Sequence, residues 1–329
     1  QIQILSSALE WAISPPQGLG VRCAAIEAIA ALVTSLEDSN QIQMLQRLIP
    51  LVLATLGAVL QAGDASQAIH CLEWLTAIAD ESASIFDKAR AETWQAVLSF
   101  AVSPQTPDEV RHMGVELLLT LVEAGPVSKV RRMASSLETL LTVLMEMLAT
   151  VTFDEAWGLR PDYEDEDGVP AVDVAYEAFD RLSLAVGGTI LGPIATPVIL
   201  SYLGQLVWRS RFAALMALSQ LPEGCRKAMS PQLPNLAGLV LQHLQDTHPC
   251  VRFASIQCLA QFATHFPGDE GWAHMHQQVV PALVRALEDP TPRVEAHAAL
   301  ALVNVFEDMD PSIAQQYTNR CVVALLQLL

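Results

Sequence analysis

The sequence holds 329 residues with 18 Lys plus Arg against 36 Asp plus Glu, a formal net charge of −18 at pH 7, and is 52% hydrophobic but only 6% aromatic. That charge, with lysine only at Lys88, Lys129 and Lys227, argues against direct nucleic-acid binding, which requires neutralised phosphates, and favours basic protein partners. Ala and Leu supply the burial, which suits stacked helices rather than a β-sandwich, and six cysteines with no CxxC pair read as small buried hydrophobes of a reducing compartment.

One motif returns along the chain. Val21-Arg22-Cys23-Ala24 is its first copy, a weaker one starts at Ile69, and Val110-Arg111 opens the third. Weaker copies at Val174 and Ser210 precede the clearest, Val251-Arg252-Phe253-Ala254, and Arg293-Val294 opens the last. Most steps lie near 40 residues, the mark of a helical solenoid whose core is a line of neighbour-to-neighbour interfaces. Each unit reads as two helices. The second starts at the motif, as in 251–263, and the first precedes it, as in 42–60 and 278–287. In the turns Gln245–Pro249 and Glu288–Pro292, Asp246 and Asp289 are placed to cap backbone amides. The recurring arginine is expected to pair with the Asp of its own or an adjacent repeat. Pro50, Pro234 and Pro281 fall inside first helices and predict bends.

The long step from 110 to 174 holds an insertion at 153–170. Its seven acids, Asp154, Glu155, Asp162, Glu164, Asp165, Glu166 and Asp167, stand against the single Arg160. Such a segment lies outside the helical stack, either as a solvated loop or as a contact for a basic partner anchored by Trp157 and Tyr163. Thr189 to Trp208 carries no charge over twenty residues, enough to span a bilayer. Pro193, Thr196, Pro197, Ser201 and Gln205 interrupt it, so it reads as a buried helix with no membrane insertion. The closing run from Asn319 to Leu329 reads as a first helix with no partner. With Gln at position 1 and no signal peptide, a single array over 1–329, cut at both ends, is expected.

Chemistry is not in evidence. Gly18-Leu19-Gly20 lacks the preceding strand of a dinucleotide site, and His274-x-His276 has no further ligand nearby and reads as a surface pair in a turn. Cys225 has no His–Asp partner and reads as structural. No catalytic residue, metal or cofactor is expected. The informative positions are polar ones on the second helices. Glu27, Glu116, Asp180 and Gln257 fall six residues after their repeat starts, Gln220, Gln261 and Asn304 ten after, and Glu123, Glu223 and Glu307 thirteen after. Those offsets share one helical face. The stripe is either a plain solvated surface or a seat for an extended basic peptide. A rim ion pair gives about 0–1 kcal/mol and a charged hydrogen bond about 1.5–3, whereas nanomolar affinity needs about 12, so several positions must act together.

Specific residues carry a family resemblance. Trp208-Arg209-Ser210-Arg211-Phe212-Ala213-Ala214-Leu215-Met216-Ala217-Leu218-Ser219 with Glu223-Gly224-Cys225 resembles the importin-β (karyopherin-β) superfamily, most nearly its importin-5 (karyopherin-β3) branch. So do Asp246-Thr247-His248-Pro249-Cys250-Val251-Arg252-Phe253-Ala254, the run from Val294 to Asn304, the loop from Asp154 to Trp157, and Ala178-Phe179-Asp180-Arg181. The match is specific over 150–310 and looser over 1–150.

The resemblance implies an all-α superhelix of HEAT repeats, about seven of them, forming an internal part of a longer, non-enzymatic transport receptor. It implies cargo bound through lysine-rich localisation signals, ribosomal proteins and histones among the candidates. It also implies release by the GTPase Ran, contact with nucleoporins in the intact receptor, and shuttling between cytoplasm and nucleus. Carried over by position, Asp180, Glu223 and Asn304 fall in the signal-binding row. Gln261, His265 and Glu307 join them as cargo-site candidates, and the seven loop acids are candidates for Ran or another basic partner. One position departs: Thr264-His265-Phe266 stands where the family tends to have Thr-Asp-Phe, which puts one lysine subsite in question or implies a different cargo preference. A HEAT-repeat enzyme using His-Glu metal ligands is disfavoured because the chain has no such dipeptide. A HEAT scaffold with no transport role is the alternative.

Overall fold

The structure, a computed structural model, describes residues 2–36, 38–154, 156–159 and 171–326. These form α-helices joined by short turns, and the chain divides into two compact units, Gln1–Val143 and Leu144–Leu329.

The first unit contains α1 (Ile2–Ile13), α2 (Leu19–Thr34), α3 (Ser39–Leu45), α4 (Ile49–Gln61), α5 (Ala65–Ser82), α6 (Arg90–Ala101), α7 (Asp108–Glu123) and α8 (Val127–Arg131). The division falls within α9 (Ala134–Leu148). The second helices α2, α5 and α7 carry the motif, and α5 packs against both of the others. They start where the local chemistry allows. The Asp64 carboxylate accepts from the Gln67 amide at 3.0 Å to cap α5, while Asp108 and Glu109 sit in the first turn of α7, where the helix dipole favours them.

Cys23 and Cys71 are buried in the interface between α2 and α5, with sulfurs 3.8 Å apart. Burial and the neighbouring Cys23 push the Cys71 thiol up to about 12. Among the described residues the arginine of this first copy pairs with no Asp. Arg22 donates to the Ile13 carbonyl at 3.1 Å and to the Thr55 hydroxyl at 2.9 Å. Arg111 pairs with Asp108 of its own helix.

The first helix expected over 42–60 is two helices, α3 and α4, linked by a 3-10 turn at Gln46–Leu48. Pro50 therefore lies in the first turn of α4, where its missing N–H costs no helical bond and no bend follows. Pro234 is placed the same way in α14, described below. Among the described residues, Asn40–Gln61 is the helical stretch long and apolar enough to cross a membrane, and 56% of its most apolar window is buried within the protein. The stretch singled out at 189–208 is a shorter helix that ends at Leu203.

The second unit contains α10 (Ala171–Val186), α11 (Gly188–Leu203), α12 (Trp208–Ser219), α13 (Pro222–Met229), α14 (Leu233–His243), α15 (Pro249–His265), α16 (Glu270–Ala273), α17 (His276–Ala286), α18 (Pro292–Glu307) and α19 (Pro311–Leu326). The second helices α12, α15 and α18 pack side by side, and α10 packs on α13. The prolines that do interrupt helices are Pro193 and Pro197 in α11 and Pro281 in α17. The last helix starts at Pro311, eight residues ahead of the expected Asn319, because Asp310 caps it by accepting from the Ser312 amide at 2.8 Å.

The expected arginine ladder is present between adjacent repeats. Arg211 donates Nε and Nη2 to the two oxygens of Asp246 at 2.7 and 3.0 Å. Arg252 grips Asp289 identically, at 2.6 and 2.8 Å. Each arginine also gives Nη1 to carbonyls of the turn before its own helix, Leu206 at 2.7 Å and Asp246 at 2.9 Å. The same carboxylates accept from the turn amides of His248 and Thr291, each at 2.9 Å. One aspartate thus shapes its turn and fastens it to the preceding repeat. Burial pushes the Asp246 carboxyl up, but Arg211 and the His248 amide outweigh it and hold the group below its usual range.

The start of the insertion is docked on the chain's own helices. Trp157 is buried, its ring 5.7 Å from that of Phe253 and 4.8 Å below the Arg293 guanidinium. Phe153 meets Trp157, Trp208 and His248. Trp157 therefore anchors the segment to α15 and α18 and is not presented to a partner. Asp154 is exposed; Glu155, Asp162, Tyr163, Glu164, Asp165, Glu166 and Asp167 lie outside the described residues.

Candidate functional site

The site is assembled on one face of α10, the start of α13, and the second helices α15 and α18. Asp180 lies one turn beyond Tyr176 on α10. Glu223 lies in the first turn of α13, not on the face of α12 that its offset implied, because α12 stops at Ser219 and Pro222 starts a new helix.

Gly224 sets the closeness of the two acids. A Cβ built there would collide with the carbonyl of Ser183 on α10, so only glycine lets α13 come this near. The result is a like-charge neighbourhood. Burial pushes the Asp180 carboxyl above its usual value, Glu223 and then Glu177 push the same way, and His265 pulls against them. Among the described residues no Lys or Arg is hydrogen-bonded to Asp180.

Neutral polar groups continue the row. Gln257 donates Nε2 to the Tyr176 hydroxyl at 2.8 Å, and its Oε1 lies 2.9 Å from His297 Nε2. His297 itself stacks on Phe253, ring centres 4.2 Å apart. Gln261 Oε1 lies 3.1 Å from His265 Nε2, one turn along α15. On α18, Asn304 Nδ2 donates to the Thr264 hydroxyl at 3.4 Å. Buried apolar residues of α15 and α18, such as Val251, Leu259, Val294 and Leu302, hold this frame from behind.

The structure therefore brings together five of the six cargo-site candidates: Asp180, Glu223, Gln261, His265 and Asn304. Glu307 is exposed at the last residue of α18, one turn past Asn304, on the same face but at the end of the row. Beyond Asn304 the surface dips into a cavity of about 230 Å³ lined by Trp272, Val305, Asp308 and Ile313 among others. Sequence reasoning missed Tyr176 and His297. Both are aromatic rings with one polar edge, and their bonds to Gln257 were the only signal that would have separated them from core. The remaining chemical motifs are absorbed by packing. Cys225 is buried, its thiol pushed up to about 11 by that burial. His276 is no loose turn residue: its Nδ1 lies 2.8 Å from the Tyr317 hydroxyl.

The arrangement offers a ligand two crowded carboxylates followed by amide and imidazole groups spaced along parallel helices. Crowded carboxylates favour a cation, which relieves their repulsion, and amides can bond a peptide backbone in either sense.

Comparison with known proteins relates the chain to a family. Residues 104–193 match the importin repeat, residues 1–89 match importin-5-like TPR repeats, and residues 208–262 match a HEAT-like repeat. Importin subunit beta-3 of Saccharomyces cerevisiae is 30% identical over 94% of this chain, which spans 28% of that protein's length. Probable importin subunit beta-4 of Schizosaccharomyces pombe is 24% identical over 85% of the chain and 25% of its own length. The crystal structure of Kap121p bound to Nup53p superposes with a TM-score of 0.91 at 26% identity, covering 100% of this chain and 32% of that one.

Proposed function

Because the chain belongs to the importin-β (karyopherin-β) family, we propose that its row from Tyr176 to Asn304 holds an extended, lysine-rich segment of a cargo protein bound for the nucleus. The observation that carries this reading is the placement of Asp180 beside Glu223. Gly224 keeps two acids close at a cost that a bound ammonium repays. The neutral groups of Gln257, Gln261 and Asn304 then suit the peptide between its lysines.

Kap121p supports the reading by analogy. It has been solved with Pho4p and with the SUMO protease Ulp1p. One variant of it changes Asp, Glu and Asp to Lys at intervals of 43 and 42 residues, the intervals that separate Asp180, Glu223 and His265 here. A second variant alters seven positions whose spacing, with the first set at Tyr176, falls on Tyr176, Glu177, Asp180, Glu223, Gln257, His265 and Asn304. All seven are in the row or press on it; Asp180, Glu223 and Asn304 keep the residue that the variant replaces, whereas Tyr176, Glu177, Gln257 and His265 stand where Kap121p has Arg, Gln, Asn and Asp.

In the whole receptor this segment would take cargo in the cytoplasm and surrender it to Ran-GTP in the nucleus, with nucleoporin contacts carrying the complex between them. The exposed acid Asp154 and the loop acids that follow it are then candidates for Ran or for basic stretches of cargo.

Fluorescence anisotropy with a fluorescein-labelled peptide carrying three lysines tests the site. The peptide should bind, weaken steeply as salt rises, and lose about tenfold in affinity with either Glu223→Lys or Asp180→Lys. Equal binding by both variants and the native chain would end the proposal. A pull-down of nuclear proteins by the whole receptor, with and without Ran-GTP, separates a transport receptor, which releases its load, from a static scaffold, which does not.

A further inference from the structure

The three variant positions of Kap121p that carry Asp, Glu and Asp meet Asp180, Glu223 and His265 at the same spacing in this chain. The third position therefore holds an imidazole where Kap121p holds an anion, while the two acids before it match. Asn304 still follows it by 39 residues, the interval found in the seven-position variant. His265 is half-buried at the end of α15 and is not loose, since its Nε2 faces the Oε1 of Gln261 at 3.1 Å.

That clasp decides what the ring can offer a ligand. Gln261 Oε1 is an acceptor, so Nε2 carries the proton and donates to it. In the neutral ring Nδ1 is then left with its lone pair, an acceptor for a single N–H or O–H. In the protonated ring Nδ1 becomes a donor and the ring bears a positive charge. Neither state supplies the anion that makes an ammonium preferable to an uncharged donor. Asp180 and Glu223, on α10 and α13, keep that property, and Glu177 lies beside them one turn back on α10. On the α18 side the row continues with Asn304, itself a neutral amide bonded to Thr264 of α15.

We infer that His265 sets the cargo specificity of this receptor by relaxing its third subsite, which takes an uncharged polar side chain (Gln, Asn or Ser) as readily as a lysine. The inference rests on the proposed cargo role of the row. It narrows the partner class to basic segments whose lysines are needed at two points and optional at the third. It also gives the clasp by Gln261 a role, since a ring free to turn could not hold one acceptor toward the ligand.

The test uses the same fluorescein-labelled three-lysine peptide and three derivatives, each with one Lys replaced by Gln, titrated against the native chain, His265→Asp and His265→Asn. With the native chain, two replacements should weaken binding about tenfold each and the third by about twofold or less. His265→Asp should tighten the parent peptide about fivefold and make the third replacement cost about tenfold, as a restored carboxylate demands. His265→Asn, neutral like the imidazole, should keep the native profile, which separates the subsite from any loss of folding. Equal cost for all three replacements in the native chain overturns the inference while leaving the cargo role intact. So does an unchanged profile in His265→Asp, or a lysine requirement appearing in His265→Asn. Absence of binding by the parent peptide to every one of these proteins overturns the cargo role itself, and the inference with it.

Discussion

Two sets of acids in the second unit are built from the same residue types and behave oppositely. Asp246 and Asp289 stand in turns, each held by both arms of an arginine and by a backbone amide. Asp180 and Glu223 stand on helix faces, pressed together by a glycine, with the Asp180 carboxyl raised where that of Asp246 is lowered. An acid whose charge is matched inside the protein serves the fold. One whose charge is opposed there is a candidate for a ligand, which is the role proposed for this pair.

The comparison can be broken at its structural side first. Arg252 and Asp289 expose only 13% and 7% of their side chains, so Asp289→Ala strands a nearly buried guanidinium. It should cost about 3 kcal/mol in denaturant unfolding and leave peptide affinity unchanged. A loss below about 1 kcal/mol would mean that the ladder is ornamental.

Gly224→Ala tests the close approach that holds the second set together. The added methyl must push α13 off α10, which should cost about 2 kcal/mol and also weaken the peptide by separating Glu223 from Asp180. Calorimetry and anisotropy on the same sample check both halves.

Glu223→Lys should behave in reverse, with about tenfold weaker peptide binding, equivalent to about 1.4 kcal/mol, and no loss of stability. The new ammonium would take the place proposed for the ligand's beside Asp180.

The smallest effect sharpens the contrast most. A carboxyl whose folded value is raised adds stability below its unfolded value, and that stability is lost as pH rises through the folded value. Asp180→Asn should therefore do little for the melting temperature at pH 3 and raise it by about 1 °C at pH 7. The equivalent change at Asp246, whose carboxyl is lowered, should instead lower the melting temperature at pH 7 and approach neutrality as pH falls.

Much of this was legible in the sequence because repetition reports it several times over. The second helices, the buried cysteines and the ladder between Arg211 and Asp246 all follow from a motif that recurs in register with its turn. The row was legible where it lies on uninterrupted helices, as with Gln261, His265 and Asn304. Glu223 comes beside Asp180 by a route other than its offset implied, since the break at Pro222 resets helical phase and the close approach at Gly224 brings it there.

Tyr176 and His297 were not legible because a ring on a helix face looks the same whether its polar edge is used or idle. Pro50 and Pro234 were misjudged for a related reason. A proline in an apolar run breaks a helix or opens one, and the preceding 3-10 turn that decides between them has no strong signature of its own.

The ladder has one consequence for how this part of the molecule would come apart under load. Each clasp joins a turn to the repeat next to it, and among the described residues no such clasp skips a neighbour: Arg211 holds Asp246, and Arg252 holds Asp289. Pulled from its carboxyl end, such a stack should yield by successive small ruptures instead of one failure. Each rupture would release a repeat of about 41 residues, the distance from Ser210 to Val251, or ~140 Å of chain. Repeats held this way can be opened singly while their neighbours stay closed.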